Sequence, residues 1–454
     1  MKFDNQLRYA IRIIDTYKGE MPLYAWLKNF FREHPQMGSR DRKLLSTLVY
    51  GFYRLGHAQK QLPPEERILA GLFLCHDGPH EMLRYFRPGW NEKASLPLEE
   101  KIAFYQTQLP GQTPTSGTTR HPDQTPGHTQ PSGPAPSPGT TFRVEDIFPW
   151  KSELSDGIDH RAFCLSFLRQ PDLFLRIRPG HQQAVLAQLD SAEFIPPFTL
   201  RLPNGFKVED HFTPDHEVVV QDYSSQRIAS FLQPPPTYLL VSKALPPKKD
   251  MSPSPRTFDP ATPQPAEAPL SFWDACAASG GKSILAHDLY PSIDITVSDI
   301  RESILHNLRQ RFHQAGIKKY RAVLADLTQG LPPSLLQPGP SLARPALSHF
   351  NLILADAPCT GSGTWSRTPE ELYFFDPRKI MHYSRMQSKI LSHIAAKLTP
   401  GTWLVYSTCS VFKKENEEII GFLKENFGLQ PDRAENITGY DQRADSMFAA
   451  RFRR

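Results

Sequence analysis

From residue 269 onward, apolar runs that fit buried strands alternate with stretches that fit helices. The predicted elements are strands near 271–275, 293–298, 321–325, 350–355 and 402–406, and helices near 282–289, 302–314, 386–398 and 415–426. Such alternation is typical of an α/β fold with a parallel, doubly wound sheet. In a sheet of this kind the ligand crevice lies at the carboxyl ends of the strands.

The rest of the chain differs in composition from this region. The predicted domains are a helical domain over 1–105, a disordered linker over 106–141, a small α+β subdomain over 142–243, a proline-rich insert over 244–268 and a catalytic domain over 269–454. Both linkers are rich in proline and poor in aliphatic residues, so neither can bury a core. Many of the 44 prolines of the chain fall there.

Bulk properties exclude several classes of protein. No run of 18 apolar residues is present, so we expect no membrane span. The N-terminus lacks the features of a signal peptide. The five cysteines form no CxxC pair, which argues against a zinc site or a disulfide framework and favours reduced thiols in the cytoplasm.

Positive charge is concentrated near the N-terminus. Residues 1–60 hold 11 Lys and Arg against 5 Asp and Glu, a difference of +6, whereas the whole chain carries +5. Local basic surface attracts phosphate backbones. A solvated helix face would have the same composition, so charge alone leaves both interpretations open.

Two cysteines follow predicted strands. Cys359 lies in the segment DAPCTGSG, residues 356–363, and Cys409 lies in YSTCS, residues 406–410. Because strand ends meet at one edge of a parallel sheet, we expect both thiols at one site. A thiolate is the side chain best suited to add to a pyrimidine ring. Taken singly, each cysteine could instead be a small buried apolar residue.

A glycine-containing turn follows the first predicted strand, in the segment DACAASGGKS, residues 274–283. Glycines at such a turn let a ligand approach the backbone. Asp299, Asp326 and Asp356 then end the next three strands, and an acid after the second strand is the expected partner of ribose hydroxyls. Alternatively, the glycine segment could be a tight turn without a ligand, and each aspartate could be a helix cap or a turn residue. The combination favours a nucleoside cofactor, S-adenosylmethionine rather than a nucleotide triphosphate.

These segments resemble a known family. DAPCTGSGTWSRTPE (356–370) and YSTCSVFKKENEEI (406–419) resemble the two signature motifs of the RsmB/NOP/Sun family of RNA cytosine-5 methyltransferases. DACAASGGKS is similar to its cofactor loop, in which the family usually has proline where Ser279 stands. Residues 39–54 are similar to the NusB-like helical domain of bacterial members.

The resemblance implies a doubly wound, Rossmann-like class I methyltransferase domain, preceded by a small α+β (RRM-like) unit and an N-terminal all-α NusB-like domain. It implies that Cys409 is the nucleophile, that Cys359 helps to release the product and that Asp356 hydrogen-bonds the base. The residues implied in binding S-adenosylmethionine are Cys276, Ala277, Ala278, Ser279, Gly280, Gly281, Lys282, Asp299, Asp326 and Asp356.

The implied substrate is single-stranded or loop RNA, because a stacked base hides the face to be attacked. Ribosomal RNA is expected first, since the NusB-like domain accompanies that subgroup, and transfer RNA is the alternative. A catalytically idle RNA-binding or ribosome assembly factor is a second alternative, and a protein or small-molecule methyltransferase a third. We expect a cytoplasmic monomer without metal or membrane contact.

Overall fold

A computed structural model describes residues 2–109, 141–189, 192–233, 270–336 and 350–454. The predicted proline-rich insert over 244–268 and most of the predicted linker over 106–141 lie outside the described residues. The chain forms two compact units. Unit 1 comprises Met1–Leu154, Asp159–Pro171 and Thr364–Asp376, and unit 2 comprises Ser155–Ile158, Asp172–Gly363 and Pro377–Arg454.

Unit 1 is helical, as the N-terminal pattern predicts. Its α-helices are Phe3–Thr16, Leu23–Glu33, Ser39–Arg54, Pro64–Cys75, Glu81–Phe86, Pro88–Glu92, Leu98–Thr107, His160–Ser166 and Pro369–Tyr373. The last of these belongs to a segment that sequence alone assigns to the catalytic domain. Apolar residues at helical spacing, such as Ile13, Leu45 and Leu48, are fully buried in this unit.

A buried arginine holds the three segments of unit 1 together. Arg54 ends the helix Ser39–Arg54, and its guanidinium donates hydrogen bonds to the carbonyls of Phe167 (3.0 Å), Arg169 (3.2 Å) and Ser366 (2.9 Å). Burial lowers the pKa of Arg54. The planar guanidinium can satisfy several carbonyls at once, which explains how a side chain only 4% exposed is stable there.

Unit 2 contains a seven-stranded sheet. Its strands are β5 (Ser271–Asp274), β6 (Asp294–Asp299), β7 (Tyr320–Leu324), β8 (Leu352–Asp356), β9 (Trp403–Thr408), β10 (Pro431–Ile437) and β11 (Met447–Arg453). Across the sheet they lie in the order β10-β11-β9-β8-β5-β6-β7. Strands β5 to β9 pair in parallel, whereas β11 pairs antiparallel with both β9 and β10. The order reverses between β5 and β8, the position at which such sheets bind ligands.

Helices cover both faces of this sheet. The α-helices of unit 2 are Gln182–Leu186, Tyr223–Arg227, Ala229–Leu232, Gly281–Leu289, Glu302–Gln314, Pro333–Leu336, Arg378–Ala395 and Glu417–Phe427. Neighbouring strand residues enter different cores, because side chains alternate across a sheet. Phe272 packs with Leu308 in one core, and Trp273 packs with Leu391 in the other. The predicted doubly wound fold is therefore confirmed.

Unit 2 also contains the small α+β unit. Its strands are β1 (Leu173–Ile177), β2 (Glu193–Ile195), β3 (Thr199–Leu202) and β4 (Val218–Val220), and they form an antiparallel sheet in the order β2-β3-β1-β4. Leu175, Leu200 and Val218 fill its core. The sequence predicts strands over 173–177, 198–202 and 217–220, which correspond to β1, β3 and β4. It does not predict β2, which is only three residues long and lies at an edge.

Residues 445–451, which overlap β11, resemble the last strand of the RsmB/NOP/Sun family, so one further strand and one helix boundary differ from the predictions. The edge strand β10 is half-exposed and polar, so it lacks the apolar run that identifies β8 or β9. The helix Arg378–Ala395 begins eight residues before its predicted start near 386, because its first two turns are mostly polar. Among the described residues, no helix is both long and apolar enough to span a bilayer.

The crossing of two helices in unit 1 makes a testable prediction. Gly71, in Pro64–Cys75, lies against Gly51, and a Cβ added at Gly71 would sit 2.4 Å from the Gly51 carbonyl oxygen. We expect Gly71→Ala to force the helices apart and lower the free energy of unfolding by about 1–3 kcal/mol. Urea denaturation of the full chain measures this effect.

A matched control is Gly421→Ala in the helix Glu417–Phe427. Within the described residues, a Cβ at Gly421 would meet no atom closer than 4 Å. That variant should be neutral or more stable by about 0.5–1 kcal/mol, because alanine favours helix more than glycine. Equal effects of the two substitutions would contradict the close crossing.

Candidate functional site

The pairing of β8 with β9 brings the two cysteine motifs together. The strands run in parallel with Asp356 opposite Ser407. Cys359 lies three residues beyond Asp356, and Cys409 lies two beyond Ser407, so both loops leave the same edge of the sheet. The two Sγ atoms are 3.3 Å apart, within hydrogen-bond distance, and both thiols are free. The thiols that sequence places at one site are therefore neighbours.

A carboxylate lies at the same edge. Asp356 Oδ2 accepts a hydrogen bond from Lys282 Nζ at 2.7 Å, and its Oδ1 accepts one from Ser407 Oγ at 2.6 Å. Burial opposes the charge of Lys282, but the attraction of Asp356 outweighs burial and raises the pKa of the ammonium. Lys282 thus stays charged and fixes the Asp356 carboxylate, while each carboxylate oxygen keeps a lone pair for a ligand.

The two thiols differ in their environment. The hydrogen bond with Cys409, burial and the nearby charges of Cys409 and Glu415 together raise the pKa of Cys359 well above its ordinary value. Cys359 therefore keeps its proton and can donate it to the Cys409 sulfur.

Glu415 links the loops that carry the thiols. This fully buried carboxylate accepts hydrogen bonds from the Thr360 amide (2.9 Å) and hydroxyl (2.6 Å), from Ser410 Oγ (2.7 Å) and from Gln387 Nε2 (3.0 Å). Thr360 follows Cys359, and Ser410 follows Cys409. Burial raises the pKa of Glu415, and the hydrogen bonds oppose that rise.

The neighbouring Asn416 fixes the second loop. Its side chain accepts a hydrogen bond from Thr408 Oγ1 at 2.7 Å and donates one to the Ser410 carbonyl at 2.9 Å. Sequence reasoning did not single out Glu415 or Asn416, although both lie in the quoted segment 406–419. They lie in the segment KKENEE, residues 413–418, which has the composition of the exposed first turn of a helix. No pattern in this segment indicates that two of its six polar residues are buried.

The predicted cofactor loop connects β5 with the helix Gly281–Leu289. The Ala277 amide donates to the Ser298 carbonyl at 2.9 Å, and the Ala278 amide donates to Asp299 Oδ2 at 3.0 Å. The loop is thus held against the end of β6, and Ala278 takes a left-handed conformation with φ of 45°. Lys282, in the first turn of the helix, joins this loop to Asp356.

The remaining predicted residues lie at neighbouring strand ends. Asp299 ends β6, where it also accepts from the Arg301 amide at 3.0 Å, and Asp326 follows β7. Thr328 donates to only one Asp326 oxygen, Oδ1. Cys276 is half-buried, and burial raises its pKa, so it is a poor nucleophile. These carboxylates and amides fit a nucleoside, whose ribose and amino groups need acceptors.

Asp274, the last residue of β5, is a further buried acid that sequence reasoning did not single out. Its Oδ2 accepts from Ser283 Oγ at 2.6 Å, and its Oδ1 has no hydrogen-bond partner in the described residues. Burial, with the charges of Asp356 and Asp299 nearby, raises its pKa to about 7.

In the part of the chain that the structure describes, no three acidic, His or Cys side chains form a metal-binding group.

Asp274 makes the stability of the fold depend on pH. The unfolded chain loses this proton near 3.8, whereas the folded protein keeps it up to about 7. Between those values the folded state binds the extra proton, so stability should decrease as pH rises, in total by up to about 4 kcal/mol. Asp274→Asn should remove this decrease in urea unfolding measured from pH 4.5 to 7.5.

The control for this pH series is Asp441→Asn, since Asp441 is an exposed aspartate of the same unit. That variant should keep the slope of the unchanged protein. Parallel pH profiles for Asp274→Asn and the unchanged protein would show that Asp274 is ionised throughout.

The role of Glu415 can be tested by two substitutions. Glu415→Ala leaves several buried donors unpaired and should lower the free energy of unfolding by more than about 3 kcal/mol. Glu415→Gln should retain most of the free energy of unfolding that Glu415→Ala loses. Its amide nitrogen can face the Thr360 and Ser410 hydroxyls, which can accept, while its oxygen faces the Thr360 amide and Gln387. Urea unfolding and the rate of thiol labelling measure both variants, and similar losses for Ala and Gln would contradict this account.

The chain was compared with known proteins. Residues 261–450 match the family model described as 16S rRNA methyltransferase RsmB/F. A probable ribosomal RNA small subunit methyltransferase B of Bacillus subtilis (strain 168) is 29% identical over 235 residues, 51% of this chain and 43% of that protein. A ribosomal RNA small subunit methyltransferase B of Enterobacter sp. (strain 638) is 33% identical over 187 residues, 39% of this chain and 41% of that protein.

The matched segments thus span less than half the length of these relatives. The match to the crystal structure of PH0851 covers 98% of this chain and 97% of that chain, with a TM-score of 0.60 and 18% sequence identity. This match shows a similarity of fold. The family match also confirms the predicted cofactor, S-adenosylmethionine, as the methyl donor. The match to the RsmB/F family model over residues 261–450 confirms the resemblance of this part of the chain to the RsmB/NOP/Sun methyltransferases, in agreement with the two cysteine motifs and the sheet order.

Proposed function

We propose that this protein forms 5-methylcytosine in ribosomal RNA through a covalent bond between Cys409 and the target base. The observation that carries this proposal is the 3.3 Å separation of the Cys359 and Cys409 sulfurs beside the Asp356 carboxylate. Methylation of a nitrogen or oxygen atom needs no covalent adduct and hence no pair of thiols. Carbon 5 of cytosine is not nucleophilic until a group adds to carbon 6.

The first step belongs to Cys409. Its thiolate forms a bond to carbon 6, and the electrons of the ring double bond become available at carbon 5 for attack on a methyl group. S-adenosylmethionine, bound at the glycine loop, supplies that methyl group. The raised pKa of Cys359 supports this division of roles, because Cys359 stays protonated while Cys409 reacts.

Asp356 and Cys359 act on the adduct. As Cys409 adds, the ring nitrogen of the base takes up a proton from solvent, and the Asp356 carboxylate, fixed by Lys282 and Ser407, accepts a hydrogen bond from it and stabilises the adduct. Once Cys409 is bonded to carbon 6, its charge no longer raises the pKa of Cys359. Cys359 then loses its own proton to solvent, and its thiolate takes the proton from carbon 5. The ring double bond re-forms and Cys409 leaves as a thiolate.

The substrate follows from chemistry and from the relatives. A base must leave its stack to admit a thiol above carbon 6, so the target lies in single-stranded or loop RNA. The matched family and relatives are named for small-subunit ribosomal RNA, which favours ribosomal over transfer RNA. We place the reaction in the cytoplasm and expect a monomer. The segment over 142–243 and the basic N-terminal segment would contact the RNA backbone.

Two variants test the proposed reaction. In Cys409→Ser, methyl transfer to RNA should fall below detection, because a hydroxyl does not add to the ring. In Cys359→Ser, a denaturant-stable adduct between protein and RNA should accumulate, because release is blocked. The assays are bisulfite sequencing of total RNA and denaturing electrophoresis with labelled RNA.

The control is Cys75→Ser, since Cys75 lies in the helical unit and far along the chain from both motifs. It should methylate RNA and form no adduct. Methyl transfer that persists in Cys409→Ser would refute the assignment of the nucleophile. An RNA that Cys409→Ser and Cys359→Ser both bind, with no methylation by the unchanged protein, would favour an idle assembly factor.

A further inference from the structure

The cofactor loop lies against the helix Glu302–Gln314. Gly280, with φ of +83°, faces this helix, and a Cβ built there would sit 2.8 Å from Phe312 and 3.0 Å from Leu308. Only glycine combines the left-handed conformation with so close an approach. The position of the loop therefore depends on the position of this helix.

One side chain of the helix also holds the loop through hydrogen bonds. Arg311 Nη1 donates to the Ser279 carbonyl at 3.1 Å and to Ser279 Oγ at 2.9 Å. The other edge of the guanidinium faces Asp215, with Nη2 to Oδ1 at 2.7 Å and Nε to Oδ2 at 2.8 Å. Such a bidentate pair fixes the orientation of the arginine as well as its position.

Asp215 is in turn fixed by the small sheet. It has φ of 62°, its amide donates to the Val218 carbonyl at 2.7 Å, and its own carbonyl accepts from Arg178 Nη1 at 2.9 Å. The same Arg178 nitrogen donates to the Ala315 carbonyl, just beyond the helix, at 2.8 Å. Arg178 and Asp215 thus attach the C-terminal end of the helix to the small sheet at two points.

We propose that Arg311, oriented by Asp215, is a positioning residue for the cofactor loop, so that affinity for S-adenosylmethionine depends on the small sheet. The inference rests on the proposed binding of this cofactor at the loop. Ser279 stands where the family that the chain resembles usually has proline, whose ring restricts the backbone. The two bonds from Arg311 restrict the same residue from outside, and a loop ordered in advance loses less entropy on binding.

A purely structural role is the alternative. The Arg311–Asp215 pair could attach the small sheet to the helix and leave the loop unaffected. Loss of the pair would then lower the unfolding temperature and leave cofactor affinity unchanged. Binding affinity, measured separately from stability and from catalysis, distinguishes the two roles.

The experiment is calorimetric titration of the full chain with S-adenosylmethionine in the absence of RNA. Arg311→Met, which removes both hydrogen bonds from Arg311 to Ser279, should raise the dissociation constant about tenfold, and Ser279→Ala, which removes one of them, about threefold. The double variant should match Arg311→Met, because both changes break the same contact. Asp215→Asn should weaken binding, although Asp215 lies in the turn before β4 and outside the cofactor loop.

The control is Arg309→Met on the same helix, whose exposed ion pair with Glu302 at 2.9 Å lies within the helix. It should bind as the unchanged protein does. Binding by Arg311→Met and Ser279→Ala within twofold of the unchanged protein would overturn the proposal. Independent, multiplicative losses in the double variant would do the same. If Arg311→Met does not fold, Asp215→Asn decides in its place, because Asp215 contacts Arg311 and is not among the residues implied in cofactor binding. Unchanged affinity in that variant would overturn the proposal.

Failure of the proposed function gives a different result in the same titration. Unchanged protein that does not bind S-adenosylmethionine would refute cofactor binding at the loop, before any variant is compared. Binding of the cofactor without RNA methylation would refute only the reaction, and the effect of Arg311 on affinity would stand.

Discussion

The parallel pairing of β8 with β9 is the constraint on which the site depends. It sets Asp356 opposite Ser407, and a shift of one residue would turn each of these side chains to the other face of the sheet. The apolar residues of both strands fix the register, because they must enter the cores on the two faces. The two thiols are fifty residues apart in the sequence, and the distance between them is therefore set by the packing of the β8 and β9 side chains in the cores of the sheet.

Beyond the strand ends, polar contacts replace apolar packing. The residues next to the thiols, among them Thr360, Ser362, Thr408 and Ser410, are polar. Glu415 accepts hydrogen bonds from both loops, and Asn416 bonds to the Cys409 loop, in an interior where an unpaired polar group is costly. The same network makes the loops rigid, and a rigid loop can keep a nucleophile and a second thiol in one arrangement throughout a reaction.

Charge around the site is balanced in the same way. Asp274, Asp299 and Asp356 end three neighbouring strands, and their mutual repulsion contributes to the raised pKa of Asp274. Lys282 reaches from the cofactor loop to Asp356 and joins the two halves of the site. Arg311 joins the other side of the loop to Asp215 of the small sheet. The loop is thus held from the catalytic side and from the small sheet.

The sequence by itself determined the doubly wound sheet, the strand ends and the chemical types of the residues placed there, because apolar runs and turn residues are local signals. It gave β8 and β9 to within a few residues and singled out both thiols, Lys282 and the three strand-end aspartates. It left out β2 and β10, which are short or polar edge strands. Only the tertiary structure decided which polar residues are buried. Glu415, Asn416, Asp274 and Arg311 look like ordinary surface or turn residues until segments distant along the chain pack around them, and burial is a property of that packing.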